Sequence, residues 1–271
     1  MSKLRFGDQR LALPNLSAPE RMLFKAMGVV DPAHYLHSRY FRRALSHWAG
    51  LQPSTILDAG CGRGDYSFYL ARRFPAARVL GVDIDEARVD RNRRMAEQLG
   101  LGNVSFETAD LVNARFPTPF DLIISIDVLE HITQQEQALR NLAGHLTDLG
   151  RVFYHIPTAR PKPVPFSGAL QGFHEWAEGE HIAEDRTAED FVAVMRRAGY
   201  EVLRSDRTFG YYTGELATSL FNLPYENTTR NKVLQAMLAP LCRVLTLADE
   251  WGLEQTRYAV AVEARRARAT Q

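Results

Sequence analysis

The chain has 271 residues, of which 45% are hydrophobic, so it can form one large α/β domain or two small ones and is neither disordered nor fibrous. Its 33 Lys and Arg against 32 Asp and Glu leave a formal net charge of +1, which disfavours a nucleic-acid partner. Two cysteines are too few for a disulfide framework, and the first residues lack the apolar core of a signal peptide. No apolar run reaches the roughly 18 residues of a membrane span. We therefore predict a cytoplasmic protein without a transmembrane segment, and leave peripheral membrane contact open.

Two helices are predicted before the first strand, over 17–27 and 31–48. In the second, Asp31 is the predicted N-cap and Pro32 occupies the first helical position. We assign residues 1–50 to an N-terminal helical cap and residues 51–271 to the main domain.

From residue 54 onward, short apolar runs alternate with helical stretches, which is typical of a sheet covered by helices on both faces. Leu122-Ile123-Ile124 is continuously apolar, as expected for a buried parallel strand. The predicted strands are 55–57, 78–82, 104–106, 120–125 and 151–156, and the predicted helices are 65–74, 86–99 and 134–146.

A further helix is predicted from Thr187, because Thr187 and Asp190 have capping-box spacing, and a strand follows over 200–204. The last strand is predicted over 258–262, about fifty residues later, and a connection of that length without structure is unusual in a compact domain. We therefore interpret 211–252 as a largely helical insertion. Its apolar stripe must meet the core, an apolar acceptor, a partner chain or a membrane surface.

A glycine-rich turn follows the first strand directly and precedes a helix: Gly60, Gly62 and Gly64 alternate with Cys61 and Arg63. Residues without side chains let the backbone turn tightly and approach a nucleotide-like ligand, and the helix N-terminus offers unpaired N–H groups. At the end of the next strand, Asp83 can accept hydrogen bonds from both hydroxyls of a ribose. Asp85, next to the helix start, is better suited to capping that helix.

Residues 57–64 (LDAGCGRG) resemble the signature loop of class I S-adenosylmethionine-dependent methyltransferases. Asp83, Ala109-Asp110-Leu111, residues 120–125 and Ala198-Gly199-Tyr200 resemble further motifs of that family in the same order. The resemblance implies a Rossmann-like doubly wound sheet with strand order 3-2-1-4-5-7-6 and an antiparallel strand 7. It also implies S-adenosyl-L-methionine as the cofactor. The residues expected to bind it are Asp58, Gly60, Cys61, Gly62, Asp83, Ile84, Asp110, Leu111 and Ile126.

Methyl transfer from a sulfonium needs mainly positioning and desolvation, and a base only when the acceptor carries a proton. His131 and His155 are the candidate catalytic residues, although His131 is better explained as a packing residue at a helix entry. Asp127, Glu130 and His131 are similar to a cluster in the ubiquinone-pathway O-methyltransferases, with Asp in place of the usual Glu. We predict no metal site.

Loops beyond the carboxyl ends of strands four and five face the acceptor in this family. We therefore expect Asp127, His174, His181, Tyr211 and Tyr212 to contact the acceptor, with the insertion as a lid. The predicted function is methylation of an apolar or amphipathic small molecule on oxygen, nitrogen or carbon. A lipid or quinone methyltransferase at a membrane surface and a non-catalytic adenosylmethionine-binding scaffold are the alternatives, and a homodimer is left open.

Overall fold

The computed structural model describes residues 32–48, 50–158, 187–210 and 257–267, together with positions 18, 21, 24, 241, 244, 245, 247 and 248. Positions 18, 21 and 24 are helical, in agreement with the helix predicted over 17–27. The described positions between 241 and 248 are also helical, in agreement with a helical insertion. None of the described helices is long and apolar enough to span a membrane.

The elements follow the predicted alternation. In chain order they are α1 (Pro32–His47), β1 (Thr55–Ala59), α2 (Asp65–Arg73), β2 (Arg78–Asp83), α3 (Glu86–Gln98), β3 (Val104–Thr108), β4 (Phe120–Ile126), a 3-10 helix (Leu129–His131), α4 (Gln135–Gly144), β5 (Leu146–Pro157), α5 (Ala188–Arg197), β6 (Tyr200–Gly210) and β7 (Arg257–Arg266).

The strands form one seven-stranded sheet in the order β3-β2-β1-β4-β5-β7-β6. Strands β1 to β5 pair in parallel, whereas β7 lies antiparallel between β5 and β6. The predicted order and the antiparallel seventh strand are thus confirmed. The chain passes from β1 outward to β3 and then returns to β4 on the other side of β1. This reversal opens a crevice at the carboxyl ends of β1 and β4.

Helices cover both faces of the sheet. One face packs under α1, α2 and α3 through side chains such as Phe41, Phe68 and Val89. The other packs under α4 and α5 through Leu139 and Phe191. The central strands are therefore apolar on both faces, which explains why they were readable as continuous apolar runs.

Local signals set the helix boundaries. The Asp85 carboxylate accepts the backbone N–H of Arg88 as the N-cap of α3. Thr187 and Asp190 form a reciprocal capping box at the start of α5. Both contacts satisfy N–H groups that a helix leaves unpaired in its first turn, and both agree with the sequence prediction.

All seven strands are longer than predicted, and β5, β6 and β7 exceed their predicted lengths by five or more residues. Strand β6 continues past Arg204 to Gly210, with Glu201, Ser205 and Arg207 exposed at the sheet edge. Residues 204–208 (RSDRT) are all polar, so the sequence of this part of the edge strand resembles that of a loop. Strand β5 begins at Leu146, five residues early, because Leu146 pairs with Phe120 ahead of an irregularity in the ladder.

Candidate active site

The glycine turn is anchored to the neighbouring strand by its own backbone. The N–H groups of Gly60 and Cys61 both donate to the carbonyl oxygen of Val82, each at 2.8 Å. Gly60 has φ of +84°, and a Cβ there would lie 2.4 Å from both Val128 methyl carbons. Only glycine fits this position, because it combines a left-handed backbone with direct contact to the residue that follows β4.

Gly62 occupies the tip of the same turn under different constraints. It has φ of +50°, and a Cβ there would meet no atom within 4 Å. Its N–H donates to Asp83 Oδ2 at 2.7 Å, and its carbonyl accepts from Asn92 Nδ2 at 2.9 Å. The backbone of Gly62 is therefore fixed from two sides, whereas the space above its Cα is open.

Asp83 ends β2 beside this turn. It is buried, and its Oδ1 accepts the backbone N–H of Asp85 at 3.0 Å while Oδ2 accepts that of Gly62. Each carboxylate oxygen has lone pairs for more than one donor, so the two backbone contacts orient the group without exhausting it. Asp83 lines the adjacent cleft, and its role as a ribose ligand remains a prediction.

A cleft of about 790 Å³ extends from the turn across the carboxyl ends of β1, β2 and β4. Eight of the residues predicted to bind cofactor line it, and so do Asp127 and His131. The eight are Gly60, Cys61, Gly62, Asp83, Ile84, Asp110, Leu111 and Ile126. Ile84 is apolar and 74% exposed, so its side chain is accessible to a ligand in the cleft.

The lining fits S-adenosylmethionine. The open space over Gly62 admits a close approach of the ligand to the backbone, and Asp83 offers acceptors for hydroxyl groups. The apolar side chains of Ile84 and Leu111 suit the faces of a planar base, next to the polar Asp110. Asp110 is itself oriented by the Val112 N–H, which donates to its Oδ1 at 2.9 Å.

Asp58 does not line the cleft, although it was predicted to bind cofactor. Its carboxylate is 2% exposed and accepts the hydroxyl of Ser67 beneath the turn. Burial raises the pKa of Asp58 to about 7, and the Ser67 hydrogen bond partly offsets this effect. The structure therefore gives Asp58 a place under the turn rather than in the ligand space. Burial likewise raises the pKa of the Cys61 thiol, so this cysteine is not a reactive thiolate.

The predicted catalytic histidines differ in position. His131 ends the 3-10 helix at the cleft, with its side chain 38% exposed and Nε2 3.8 Å from Glu130 Oε1. His155, in contrast, is only 2% exposed. Its Nδ1 lies 2.7 Å from Asp127 Oδ1, and its Nε2 lies 2.9 Å from Thr208 Oγ1. Of the pair Asp127 and His155, only Asp127 lines the cleft.

The remaining predicted acceptor contacts, His174, His181, Tyr211 and Tyr212, lie outside the described residues. In the described part of the chain, no group of three His, Cys, Asp or Glu side chains is arranged to hold a metal ion. Several lining residues were not singled out in the sequence, because they occur in ordinary helical or turn contexts. They are Asp65, Tyr66, Arg88, Arg91, Val128 and Ile132.

Comparison with known proteins agrees with this geometry. Residues 56–150 match a family profile described as a methyltransferase domain. The "Ubiquinone biosynthesis O-methyltransferase" of Coxiella burnetii (strain Dugway 5J108-111) is 26% identical over 170 residues, which cover 58% of this chain and 70% of that enzyme. The same enzyme from strain RSA 331 / Henzerling II is matched over 65% of its length.

Solved structures share the fold. A geranyl diphosphate methyltransferase in complex with S-adenosylmethionine superposes with a TM-score of 0.61 at 16% identity, covering 97% of this chain and 96% of that one. A [4+2]-cyclase superposes with a TM-score of 0.60 at 19% identity, covering 85% of this chain and 82% of that one. The fold alone is thus compatible with more than one chemistry.

The sheet order, the glycine turn and the acid that ends β2 define a Rossmann-like domain of the methyltransferase type. Residues 56–150 form a methyltransferase domain, and the sheet around them has the fold of class I S-adenosylmethionine-dependent methyltransferases.

Proposed function

We propose that this enzyme methylates a small amphipathic molecule on a hydroxyl or amine group. The observation that carries the proposal is the composition of the cleft beyond the cofactor turn, where the carboxylate of Asp127 lies among Ile126, Val128 and Ile132. A carboxylate in an apolar wall suits an acceptor with one polar, proton-bearing atom on an apolar body.

The cofactor supplies an activated methyl group on a sulfonium. The chain's own contribution would be to bind and orient it: Gly60, Cys61 and Gly62 would present backbone, and Asp83 would accept from the ribose hydroxyls. Ile84 and Leu111 would contact the base, and Asp110 would accept from its amino group. These assignments make the rate depend on positioning and on excluding water from the reacting atoms.

A second candidate is a lipid or quinone acceptor at a membrane surface. Leu241, Val244 and Leu247 are 42%, 60% and 39% exposed and repeat at three-residue spacing on a helix of the insertion. Exposed apolar side chains on one helix face can lie in a bilayer interface. The Coxiella relative is named for ubiquinone biosynthesis, which is compatible with such an acceptor. The homodimer and the cytoplasmic location remain predictions.

Radiolabelled methyl transfer tests the proposal. The purified chain is incubated with methyl-labelled S-adenosylmethionine and three acceptor sets: simple catechols, aryl alkylamines and polyprenylated phenols in mixed micelles. We expect label in at least one set and at least tenfold less at limiting cofactor with Asp83→Asn, because a lost hydrogen bond to a charged group costs about 1.5–3 kcal/mol. If only the polyprenylated phenols become labelled, the result favours a lipid or quinone acceptor at a membrane surface. A metabolite extract serves as a fourth acceptor mixture. If calorimetry shows tight cofactor binding but no acceptor becomes labelled, the result would favour a non-catalytic adenosylmethionine-binding scaffold.

A further inference from the structure

A chain of three side chains links the cleft to the far edge of the sheet. Asp127 follows β4, His155 lies near the end of β5, and Thr208 lies near the end of β6. The imidazole of His155 bridges the other two, with Nδ1 2.7 Å from Asp127 Oδ1 and Nε2 2.9 Å from Thr208 Oγ1. We propose that Thr208 is a positioning residue for methyl transfer, because it fixes His155 and thereby holds Asp127 as the proton acceptor for the substrate.

The sheet topology makes this contact across an intervening strand. His155 pairs with Ala261 of β7, and Thr208 pairs with Ala259 of the same strand. Residues opposite each other in an antiparallel pair point to the same face, and Ala259 and Ala261 are two residues apart, so His155 and Thr208 share a face. Neighbouring strands are about 4.8 Å apart, so β5 and β6 are separated by about 10 Å. Because Ala259 and Ala261 of β7 have small side chains, the imidazole of His155 can extend over β7 and contact Thr208.

Hydrogen-bond chemistry assigns a role to each nitrogen of the neutral His155 imidazole. An ionised carboxylate only accepts, so the proton shared with Asp127 is carried by His155 Nδ1. In the neutral imidazole, Nε2 is then an acceptor, and the Thr208 hydroxyl donates to it. Tyr40 of α1 stacks on the ring with centroids 6.3 Å apart and an interplanar angle of 21°. The ring is therefore held along both of its nitrogens and over one face.

The backbone of Asp127 is held by the same histidine residue. Its N–H donates to the carbonyl oxygen of His155 at 2.9 Å, and its φ of 54° lies in the left-handed region. Asp tolerates this conformation better than most residues. A fixed backbone and a fixed Oδ1 together leave the carboxylate with one orientation at the cleft wall.

The proposal rests on the proposed function, in which the acceptor is a hydroxyl or an amine. Its X–H bond is replaced by X–CH₃, the sulfonium becomes a neutral thioether, and the proton goes to the Asp127 carboxylate and then to solvent. His155 is buried and acts only through Asp127. A misplaced base slows proton transfer without weakening cofactor binding.

Two variants of Thr208 isolate the hydroxyl. Thr208→Val keeps the branched shape and removes the donor, whereas Thr208→Ser keeps the donor. We expect Thr208→Val to lower kcat about tenfold, equivalent to about 1.4 kcal/mol, while Thr208→Ser stays within about threefold of the wild type. The Kd for S-adenosylhomocysteine, measured by calorimetry, should stay within about twofold in both variants, because Thr208 does not line the cleft.

Nitrogen-15 NMR of the imidazoles gives a readout that does not depend on turnover. The His155 signals are identified as those missing from His155→Gln. The wild type and Thr208→Ser should show the Nδ1–H tautomer with a hydrogen-bonded Nε2, and Thr208→Val should shift the Nε2 resonance. An unchanged His155 spectrum in Thr208→Val, or wild-type kcat in that variant, overturns the positioning role. Absence of methyl transfer by the wild type overturns the proposed function instead, and the spectrum still decides the hydrogen-bond chain.

Discussion

Glu263 in β7 and Trp48 just after α1 are joined by a hydrogen bond of 2.9 Å from Trp48 Nε1 to Glu263 Oε2, across 215 residues of sequence. Glu263 Oε1 also lies 3.1 Å from His47 Nδ1, and the Glu263 side chain is only 10% exposed. One carboxylate thus fastens the end of the N-terminal helix to a strand in the sheet. The same helix carries Phe41, which packs edge to face on Phe153 of β5.

Replacing Glu263 with Gln should lower the free energy of unfolding by about 1–3 kcal/mol, because the change removes a charge from a buried hydrogen-bonded pair. Glu201→Gln is the matched control, since Glu201 forms an exposed ion pair with Arg265, and such pairs contribute about 0–1 kcal/mol. Urea denaturation measures both. Equal effects of the two substitutions would contradict a stabilising role for the Glu263 contact.

The glycine turn offers a contrast between two neighbouring glycines. Gly60→Ala would place a Cβ 2.4 Å from Val128, whereas Gly62→Ala would meet nothing within 4 Å. We expect Gly60→Ala to lower the melting temperature strongly. Gly62→Ala should cost only about 1 kcal/mol of stability, from the left-handed backbone, yet weaken cofactor binding at least tenfold by filling the ligand space. Thermal melts and calorimetry separate the two effects, and wild-type affinity in folded Gly62→Ala would disprove the assignment.

The cofactor half of the site was predictable from sequence because its determinants are local. Gly60 and Gly62 lie just after β1 and Asp83 ends β2, and the position of a strand's carboxyl end is fixed once the strand is known. Asp58 shows the limit of this reasoning. Asp58 lies one residue beyond the predicted end of β1, and the direction of its side chain depends on Ser67, which comes from the next helix.

The hydrogen-bonded series of Asp127, His155 and Thr208 could not be derived from local sequence patterns. Its formation requires β7 to insert antiparallel between β5 and β6 and to carry Ala where His155 crosses. Moreover, Thr208 lies beyond the predicted end of β6, in a stretch that reads as polar. A contact between residues 53 apart in sequence depends on both strand order and strand register. The family resemblance predicted the strand order but not the register.

Asp58 should make stability pH-dependent in a defined direction. Its pKa is raised from 3.8 to about 7 in the folded chain, so the folded state retains a proton that the unfolded state loses over this interval. Its contribution is therefore fully present below about pH 4 and is lost as the pH rises through about 7. Asp58→Asn stays neutral, so the melting temperature of the variant relative to wild type should rise from pH 4 to pH 8. A constant difference in melting temperature across this pH range would show that the pKa of the Asp58 carboxyl is not raised.

Asp127 and His131 are alternative proton acceptors, and replacing each one should lower kcat to a different extent. Both line the cleft, but the Asp127 carboxylate is oriented by His155, whereas His131 is 38% exposed. We expect Asp127→Asn to lower kcat at least about a hundredfold with an unchanged cofactor Kd, the usual scale for loss of a general base. His131→Gln should lower kcat by about tenfold or less. The reverse order of the two effects would assign the base to His131, and loss of melting temperature alone in His131→Gln would indicate packing.

The exposed apolar face of the insertion distinguishes the two acceptor classes. Val244 is 60% exposed, and the neighbouring Leu245 packs against the core beneath α1, α2 and α3, so the two side chains can be changed with separate consequences. Val244→Glu should leave the melting temperature nearly unchanged, because substitutions at such exposed positions usually change stability by less than about 0.5 kcal/mol.

If the acceptor is drawn from a lipid surface, the same variant should lose binding to phosphatidylcholine vesicles in a sedimentation assay. It should also raise the KM for a polyprenylated phenol in micelles while leaving the KM for a water-soluble catechol unchanged, because an added charge opposes insertion of this face into the apolar boundary. Val244→Ala, which shortens the side chain without adding charge, is the control and should have a smaller effect. Equal KM values for the two acceptors in wild type and Val244→Glu would assign the exposed face to a role other than membrane contact.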